Sequence, residues 1–405
     1  MRILPDGVTR NTLTLYGGRG LRAFADGFAS LLLPVYLEAL GFDALAIGAI
    51  MAATMLGSAA LTLGVGLTAH RYGRRALLIL ATLVMIGTGL GFIFATQFWP
   101  LLAIAFIGTL NPSTSDVSVF FPLEQALLTE SVPPRSRTNV FAVYSVIGSL
   151  VGALGSLAAG LPELLRVGMG LGPLVALQAM FALYAILGLA SYFLYRRLPR
   201  SLDSHAERVL TPLGPSRGIV YTLAAVFSLD AFGGGLVVQS MLALWLFERF
   251  GLSLAAAGTI FFWAGLLSAA SFLASARIAK RIGLINTMVF THFPSNLCLI
   301  ALPFAPNLGV AVALWLLRCS LSQMDVPARS SYVMAVVTPP ERAAAASITA
   351  LPRSLVAALA PLLAGWMLTL SPFGWPVVLA GGLKAGYDVL LLLMFRHRHP
   401  PEEAS

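Results

Sequence analysis

The 405-residue chain is 58% hydrophobic and only 11% charged, with a formal charge of +9 and a mean hydropathy of +0.85. Soluble domains average roughly 45–50% apolar and about 25% charged residues, so this composition excludes an ordinary soluble domain and belongs to a membrane protein. The cationic surplus does not indicate a nucleic-acid partner, because no polar stretch is long enough to fold into a basic soluble face.

Apolar runs of about 20 residues can cross a hydrocarbon core as helices, and twelve occur in chain order. The first six are 16–40, 44–69, 76–95, 100–129, 139–160 and 172–195; the second six are 218–246, 252–275, 284–303, 308–337, 343–370 and 375–395. Residues 196–217 form the longest polar stretch between them. The expected architecture is an all-α membrane protein with twelve transmembrane helices in two pseudo-symmetric six-helix bundles, 1–195 and 218–395. A cytoplasmic linker, 196–217, joins the bundles and a cytoplasmic tail, 396–405, follows. Residues 1–15 lack the apolar core of a signal peptide, so the first span is expected to insert uncleaved.

Eighteen of the 26 Lys and Arg residues fall in segments on the N-terminal side of the membrane, while the opposite loops hold only Arg166 and Arg249. Cytoplasmic loops carry the excess of cations, so a multi-pass protein of the cell (inner) membrane with both termini cytoplasmic is expected. Cys298 and Cys319 both lie inside apolar runs and read as small core residues.

Charges inside the spans are costly and face a cavity or a partner. Arg22 and Asp26 are four apart on the first span and can face each other. The fourth span carries "NPSTSDVSVFFP", with Asn111, Asp116 and later Glu124. Pro112 and Pro122 each remove a helix hydrogen bond, so this stretch reads either as an interrupted helix with contacts for solute or as a proline kink. The seventh span carries Asp230 beside "AFGGG", then Gln239. The tenth carries Arg318, Asp325 and Arg329; the eleventh Arg353; the twelfth Lys384 and Asp388, four apart and expected to neutralise each other. His292 in the ninth reads as hydrogen-bonded structure. No cluster of His, Cys and carboxylates resembles a metal site, and no phosphate-binding loop is present, so neither metal, cofactor nor ATP is expected.

The chain repeats itself. "GSLVGALGSLAAG" at 148–160 matches "RSLVAALAPLLAG" at 353–365 at eight of thirteen positions, an offset of 205 that also pairs Pro122 with Pro327 and Glu124 with Arg329. In the loops after the second and eighth spans, Gly73 pairs with Gly283 and Arg71 with Arg281 at an offset of 210. Asp26 and Asp230 share the local pattern D-x-F-small-small. Six is even, so both copies have the same orientation.

The run Gly66 to Arg75, "GLTAHRYGRR", resembles the G-x-L-A-D-R-x-G-R-R signature found between helices two and three of the major facilitator superfamily. His70 stands where that pattern has Asp. The antiporter pattern of helix five, G-x-x-x-G-P-x-x-G, is met at Gly148 and Gly152 but has Ala153 and Ser156 at its last two places. The resemblance implies a transporter rather than an enzyme, working as a monomer, with helices one, four, seven and ten around a central cavity. On that plan Arg22, Asp26, Asn111, Asp116, Asp230, Gln239, Arg318 and Asp325 line the proton and substrate cavity. Arg71, Gly73, Arg74, Glu124, Arg281 and Arg329 form the inner gate, with Glu124 pairing Arg329 across the pseudo-twofold axis. Asp230, with no cation within four residues on its helix, is the expected proton carrier, since desolvation raises the pKa of a buried carboxylate that lacks a charge partner. Proton-coupled export of a small organic solute is the preferred reading. Uptake by symport, or a non-transporting receptor or scaffold of the same fold, is the alternative.

Overall fold

Lipid offers backbone groups no hydrogen bonds, so an apolar run of this length is stable as a helix that satisfies them internally. The computed structural model describes residues 8–113, 118–132, 137–199, 214–338 and 341–396, and each of the twelve runs is helical. The first three are α1 (Arg10–Ala39), α2 (Ala44–Tyr72) and α3 (Arg74–Phe94). The fourth run is two helices, α4 (Phe98–Ile107) and α5 (Phe120–Ser131). The fifth is α6 (Arg137–Ala158), continued by the short α7 (Leu161–Met169), and the sixth is α8 (Pro173–Arg196). In the second half the seventh run is split into α9 (Arg217–Leu236) and α10 (Gln239–Phe250). It is followed by α11 (Leu254–Ile282) and α12 (Leu284–Ala301). The tenth run is split into α13 (Leu308–Ser322) and α14 (Asp325–Ala335), and α15 (Arg342–Leu370) and α16 (Trp375–Phe395) complete the chain. Among the described residues ten helical stretches are long and apolar enough to cross a membrane. The fourth and tenth runs are not among the ten, because their breaks leave pieces of only 10, 12, 15 and 11 residues.

The sequence sets the helix ends locally. Thr9 and Thr12 form a reciprocal cap at the start of α1, Asp43 accepts from the Ala46 amide at 2.8 Å, and Asn307 accepts from the Val310 amide at 3.0 Å. Such caps satisfy amides that have no partner inside the helix. The joints α2–α3 and α11–α12 are each a single glycine, Gly73 at φ 75° and Gly283 at φ 84°. Both occupy a backbone region that side chains rarely tolerate, which is why the repeat keeps glycine there.

The chain divides into two compact units, one of residues 1–207 with 252–262, the other of residues 208–251 with 263–405. Each unit is held by close helix packing on small residues. In the first, a Cβ on Gly27 of α1 would collide with the Gly152 carbonyl of α6, and one on Gly155 would collide with the Phe24 carbonyl. In the second, a Cβ on Gly235 of α9 would collide with the Ala357 carbonyl and lie 2.7 Å from Ala360 on α15. Gly57 brings α2 equally close to Phe106 of α4.

The fourth run is interrupted, and several polar groups on the described side of the break find partners. The Thr109 amide donates to Thr88 Oγ1 at 3.3 Å, and the Thr109 and Tyr184 hydroxyls lie 3.2 Å apart. Asn111 accepts from the amide and hydroxyl of Ser113, at 3.0 and 2.8 Å. Asp116 lies outside the described residues. The break at 237–238 has no proline beside it, whereas the break at 323–324 is followed by Pro327 in the first turn of α14, the counterpart of Pro122 in α5. At the second, the Met324 carbonyl is taken up by the Ser275 hydroxyl of α11 at 2.5 Å.

Where α9 and α15 begin, Glu341 receives hydrogen bonds from the Gly214 amide, the Ser216 hydroxyl (2.6 Å) and the Thr338 hydroxyl (2.6 Å). Donors aimed at a carboxylate favour its charged form. Those of Ser216 and Thr338 hold the Glu341 carboxyl down at about 2.

Candidate functional site

Each unit has a buried charge cluster. In the first, Glu124 of α5 is fully buried and receives the Arg22 guanidinium of α1, the Tyr195 hydroxyl of α8 and the Tyr144 hydroxyl of α6 at 2.5 Å. Arg22 also donates to the Tyr195 oxygen at 3.3 Å and lies 4.2 Å over the Phe120 ring. Gly18 makes room for this, since a Cβ there would collide with the Tyr195 oxygen. Arg19 lies 5.2 Å from the Tyr144 ring centroid, in the space that a side chain at Gly148 would fill.

The second unit holds a larger network. Asp230 of α9 contacts Lys384 Nζ of α16 at 2.5 Å, Arg329 Nη1 of α14 at 3.1 Å and His292 Nε2 of α12 at 3.8 Å. Arg329 is also bound by Asp325, one turn earlier. His292 Nδ1 lies 2.9 Å from Asp388 Oδ1 and 3.1 Å from Asn296 Nδ2, and Asn296 donates to Asp388 Oδ2 at 2.8 Å. Arg353 of α15 lies 5.8 Å over the Phe227 ring. Among the described residues it has no carboxylate bridge, and its Nε is buried without an acceptor.

Two expectations from sequence are corrected. Glu124 and Arg329, whose pairing across the units was expected, each have partners inside their own unit, Glu124 in Arg22 and two tyrosines, Arg329 in Asp325 and Asp230. Lys384 does not neutralise Asp388; it turns to Asp230 while Asp388 turns to His292 and Asn296. Asp230 is not a lone acid but the shared partner of three basic groups, so the premise for making it the proton carrier fails. The physical reason is the same in each case. Buried charges are satisfied by whichever helix packs alongside, and neighbours four residues apart on one helix are only one of the options. Spacing along one helix therefore misassigns Lys384, and it carries no sign of Tyr144, Tyr195 or Asn296. The available signal is their number: polar groups at matching depths in several spans.

The register between the repeats also shifts. The offset of 205 puts Gly152 and Gly155 on Ala357 and Ala360, the residues that Gly27 and Gly235 pack near. Gly27 therefore corresponds to Gly235, an offset of 208, and the D-x-F pattern is out of register by about one helical turn. On the corrected register Arg22 corresponds to Asp230, while Glu124 corresponds to Arg329. The same inter-helix ion pair is present in both units with its charges exchanged.

The other expected residues are placed as follows. Asp26 is buried on α1, Asn111 is buried at the break of the fourth run, and Gln239 opens α10, half-buried. Arg318 lies 4.8 Å from the Trp315 ring centroid, with its Nε buried and without an acceptor. Arg74 begins α3 and Arg281 is exposed near the end of α11. Arg75 donates to the Arg196 carbonyl at 3.0 Å, tying the α2–α3 joint to the end of α8. The Arg71 side chain lies outside the described residues. Among the described residues no group of His, Cys and carboxylates could hold a metal ion.

Two bundles of apolar helices with broken spans and buried ion networks define a polytopic transport protein. The chain matches the Major Facilitator Superfamily over residues 15–324 and belongs to that family, whose members are transporters and not enzymes. It is 23% identical over 422 residues to an uncharacterised membrane protein of Saccharomyces cerevisiae, covering 96% of this chain and 94% of that one. It is 28% identical over 205 residues to the 4-hydroxybenzoate transporter PcaK of Pseudomonas aeruginosa, a match of 49% of this chain and 43% of that protein. Its structure superposes on a mutant of the nucleoside transporter NupG with a TM-score of 0.76 at 13% identity, covering 95% of this chain and all of that one. The fold is thus the twelve-helix, two-bundle architecture of a secondary transporter, which moves a small-molecule solute across a membrane.

Proposed function

We propose that the solute is a small organic anion and that its transport is coupled to protons. The observation that carries this reading is Arg353, an intramembrane guanidinium with an unsatisfied buried Nε and no carboxylate bridge among the described residues. A cation inside the membrane is costly by about 2.5–3.5 kcal/mol on insertion scales, and buried donors are ordinarily matched by an acceptor. A carboxylate solute supplies that acceptor. Arg318, placed similarly over Trp315, supports the same class, as does the partial likeness to a 4-hydroxybenzoate transporter. On this reading Asn111 and Gln239 serve as neutral contacts for solute, Asp26 and Asp325 set the charge around it, and Arg71, Gly73, Arg74 and Arg281 shape the joints that move during alternating access. The protein works as a monomer in the cell (inner) membrane with both termini cytoplasmic. The charge arrangement favours anion–proton symport; the export preferred from sequence has no support in the two charge clusters.

The test is uptake into vesicles reconstituted with purified protein, comparing labelled 4-hydroxybenzoate, a nucleoside and a pentose. Saturable uptake of the carboxylate, with apparent affinity at least tenfold weaker in Arg353→Leu, is expected. Transport of the neutral solutes alone would overturn the reading.

A further inference from the structure

The acids and bases around Arg353 include one histidine, the side-chain type whose ordinary charge change falls between about pH 5 and 8, and it sits at the junction of the network. His292 is almost fully buried on α12 and bridges two carboxylates, with Nδ1 at 2.9 Å from Asp388 and Nε2 at 3.8 Å from Asp230. We infer that His292, gripped by Asp388 and Asn296 and facing Asp230, is the proton-binding site of the transport cycle, and that its proton travels with one organic anion held on Arg353. The inference rests on the anion-transport reading above and adds the site, the carrier and the stoichiometry.

The charged surroundings of His292 can be stated element by element. From α16 come Asp388, Lys384 and the edge of the Tyr387 ring, 6.0 Å between centroids. From α9 comes Asp230, and from α14 come Arg329 and Asp325, which reach His292 only through Asp230. From α13 the charged group is Arg318, turned to Trp315. On α12 itself Asn296 fixes the ring. With the imidazole neutral, Asp230, Asp325 and Asp388 match Arg329, Lys384 and Arg353 in number, and Arg318 stands apart over Trp315. That network is then neutral overall, so an anion held on Arg353 gives it a net charge of −1.

Proton binding changes that balance by one. In the tautomer that directs the Nδ1 hydrogen at Asp388 Oδ1, a proton delivered by a hydronium ion takes the lone pair of Nε2, forming an N–H bond aimed at Asp230. The hydronium O–H bond breaks in the same step and leaves a water molecule. The imidazolium becomes a third cation on a carboxylate already shared by Lys384 and Arg329, and the network gains a charge of +1 that one monovalent anion neutralises. The expected cycle is electroneutral, one proton per monovalent anion.

The first measurement needs no solute: histidine protonation followed by NMR in full-length, nitrogen-15-histidine-labelled protein in lipid vesicles, with His292→Gln identifying the signal among five histidines. One titration between about pH 5 and 8, moved at least tenfold in proton affinity by Asp388→Asn, is expected. A His292 signal fixed in one state over that range overturns the inference. The second measurement is the ratio of protons to 4-hydroxybenzoate entering vesicles, a quantity independent of turnover rate and of expression. A ratio near one in the unmodified protein that collapses in His292→Gln supports the site. An unchanged ratio in that variant overturns it while leaving anion transport standing. If His292→Gln moves nothing, Asp388→Asn carries the test, since its flux must shift with pH by the same factor as the NMR titration. If the unmodified protein moves no organic anion, the transport reading is what fails, and the titration alone decides the proton site.

Discussion

The two units solve one problem with opposite polarity. In the first, a cation on α1 meets a carboxylate on α5; in the second, the carboxylate is on α9 and the cation on α14. The exchange extends to the neighbouring position. Arg19 on α1 fills the space over Gly148, whereas the corresponding Arg353 reaches from α15 toward Phe227, the counterpart of Arg19. What the repeat preserves is an ion pair at a place where helices cross, and which helix supplies which sign is free to change. The units differ in closure. Glu124 is sealed by one guanidinium and two phenols, while the second network is open-ended, with an imidazole between two carboxylates at one side and, at the other, Arg353, whose Nε has no acceptor among the described residues.

The comparison is broken most severely by removing one partner of the sealed pair. Glu124→Leu strands a buried guanidinium and is expected to lower stability by about 3–5 kcal/mol, read by thermal unfolding in detergent. Adding Arg22→Leu should recover most of that loss, since an apolar pair of similar volume replaces both charges; no recovery would mean that Glu124 acts through the tyrosines instead. Exchanging the charges, Arg22→Glu with Glu124→Arg, gives the first unit the polarity of the second and should likewise be more stable than either single variant.

A smaller and matched effect is expected at the packing glycines. Gly27→Val and Gly235→Val each press a branched side chain onto a backbone carbonyl, and overpacking of this kind costs about 1–3 kcal/mol. Equal losses in the two units support the register that pairs Gly27 with Gly235. A loss in one unit alone would point back to the D-x-F register.

The smallest effect separates the units by pH. The Glu341 carboxyl, where α9 and α15 of the second unit begin, is held near 2 against an ordinary 4.5. A depressed acid stabilises the folded state fully above its unfolded pKa and loses that contribution as pH falls toward the folded value. The stability advantage over Glu341→Gln should therefore be flat from neutrality to about pH 4.5 and shrink below it. An advantage that shrinks already near neutrality would exclude this origin.

Much of this molecule was legible in the residue order, for physical reasons that are local. Helices follow from long apolar runs, because lipid penalises any backbone group left open. The one-residue reversals at Gly73 and Gly283 follow from glycine, and the break of the fourth run from two prolines among hydroxyl-bearing residues. Offset similarity revealed the repeat, and the charge count within the spans marked which residues matter. Tertiary structure decided their partners. Arg22 chose Glu124, a hundred residues away, and Lys384 chose Asp230 over Asp388 one turn along its own helix, because a buried charge takes the best-placed opposite group on any adjoining helix. That choice depends on how Gly27 and Gly235 let their helices close on α6 and α15. A slip of one turn in that register leaves the apolar pattern intact and changes every ion pair.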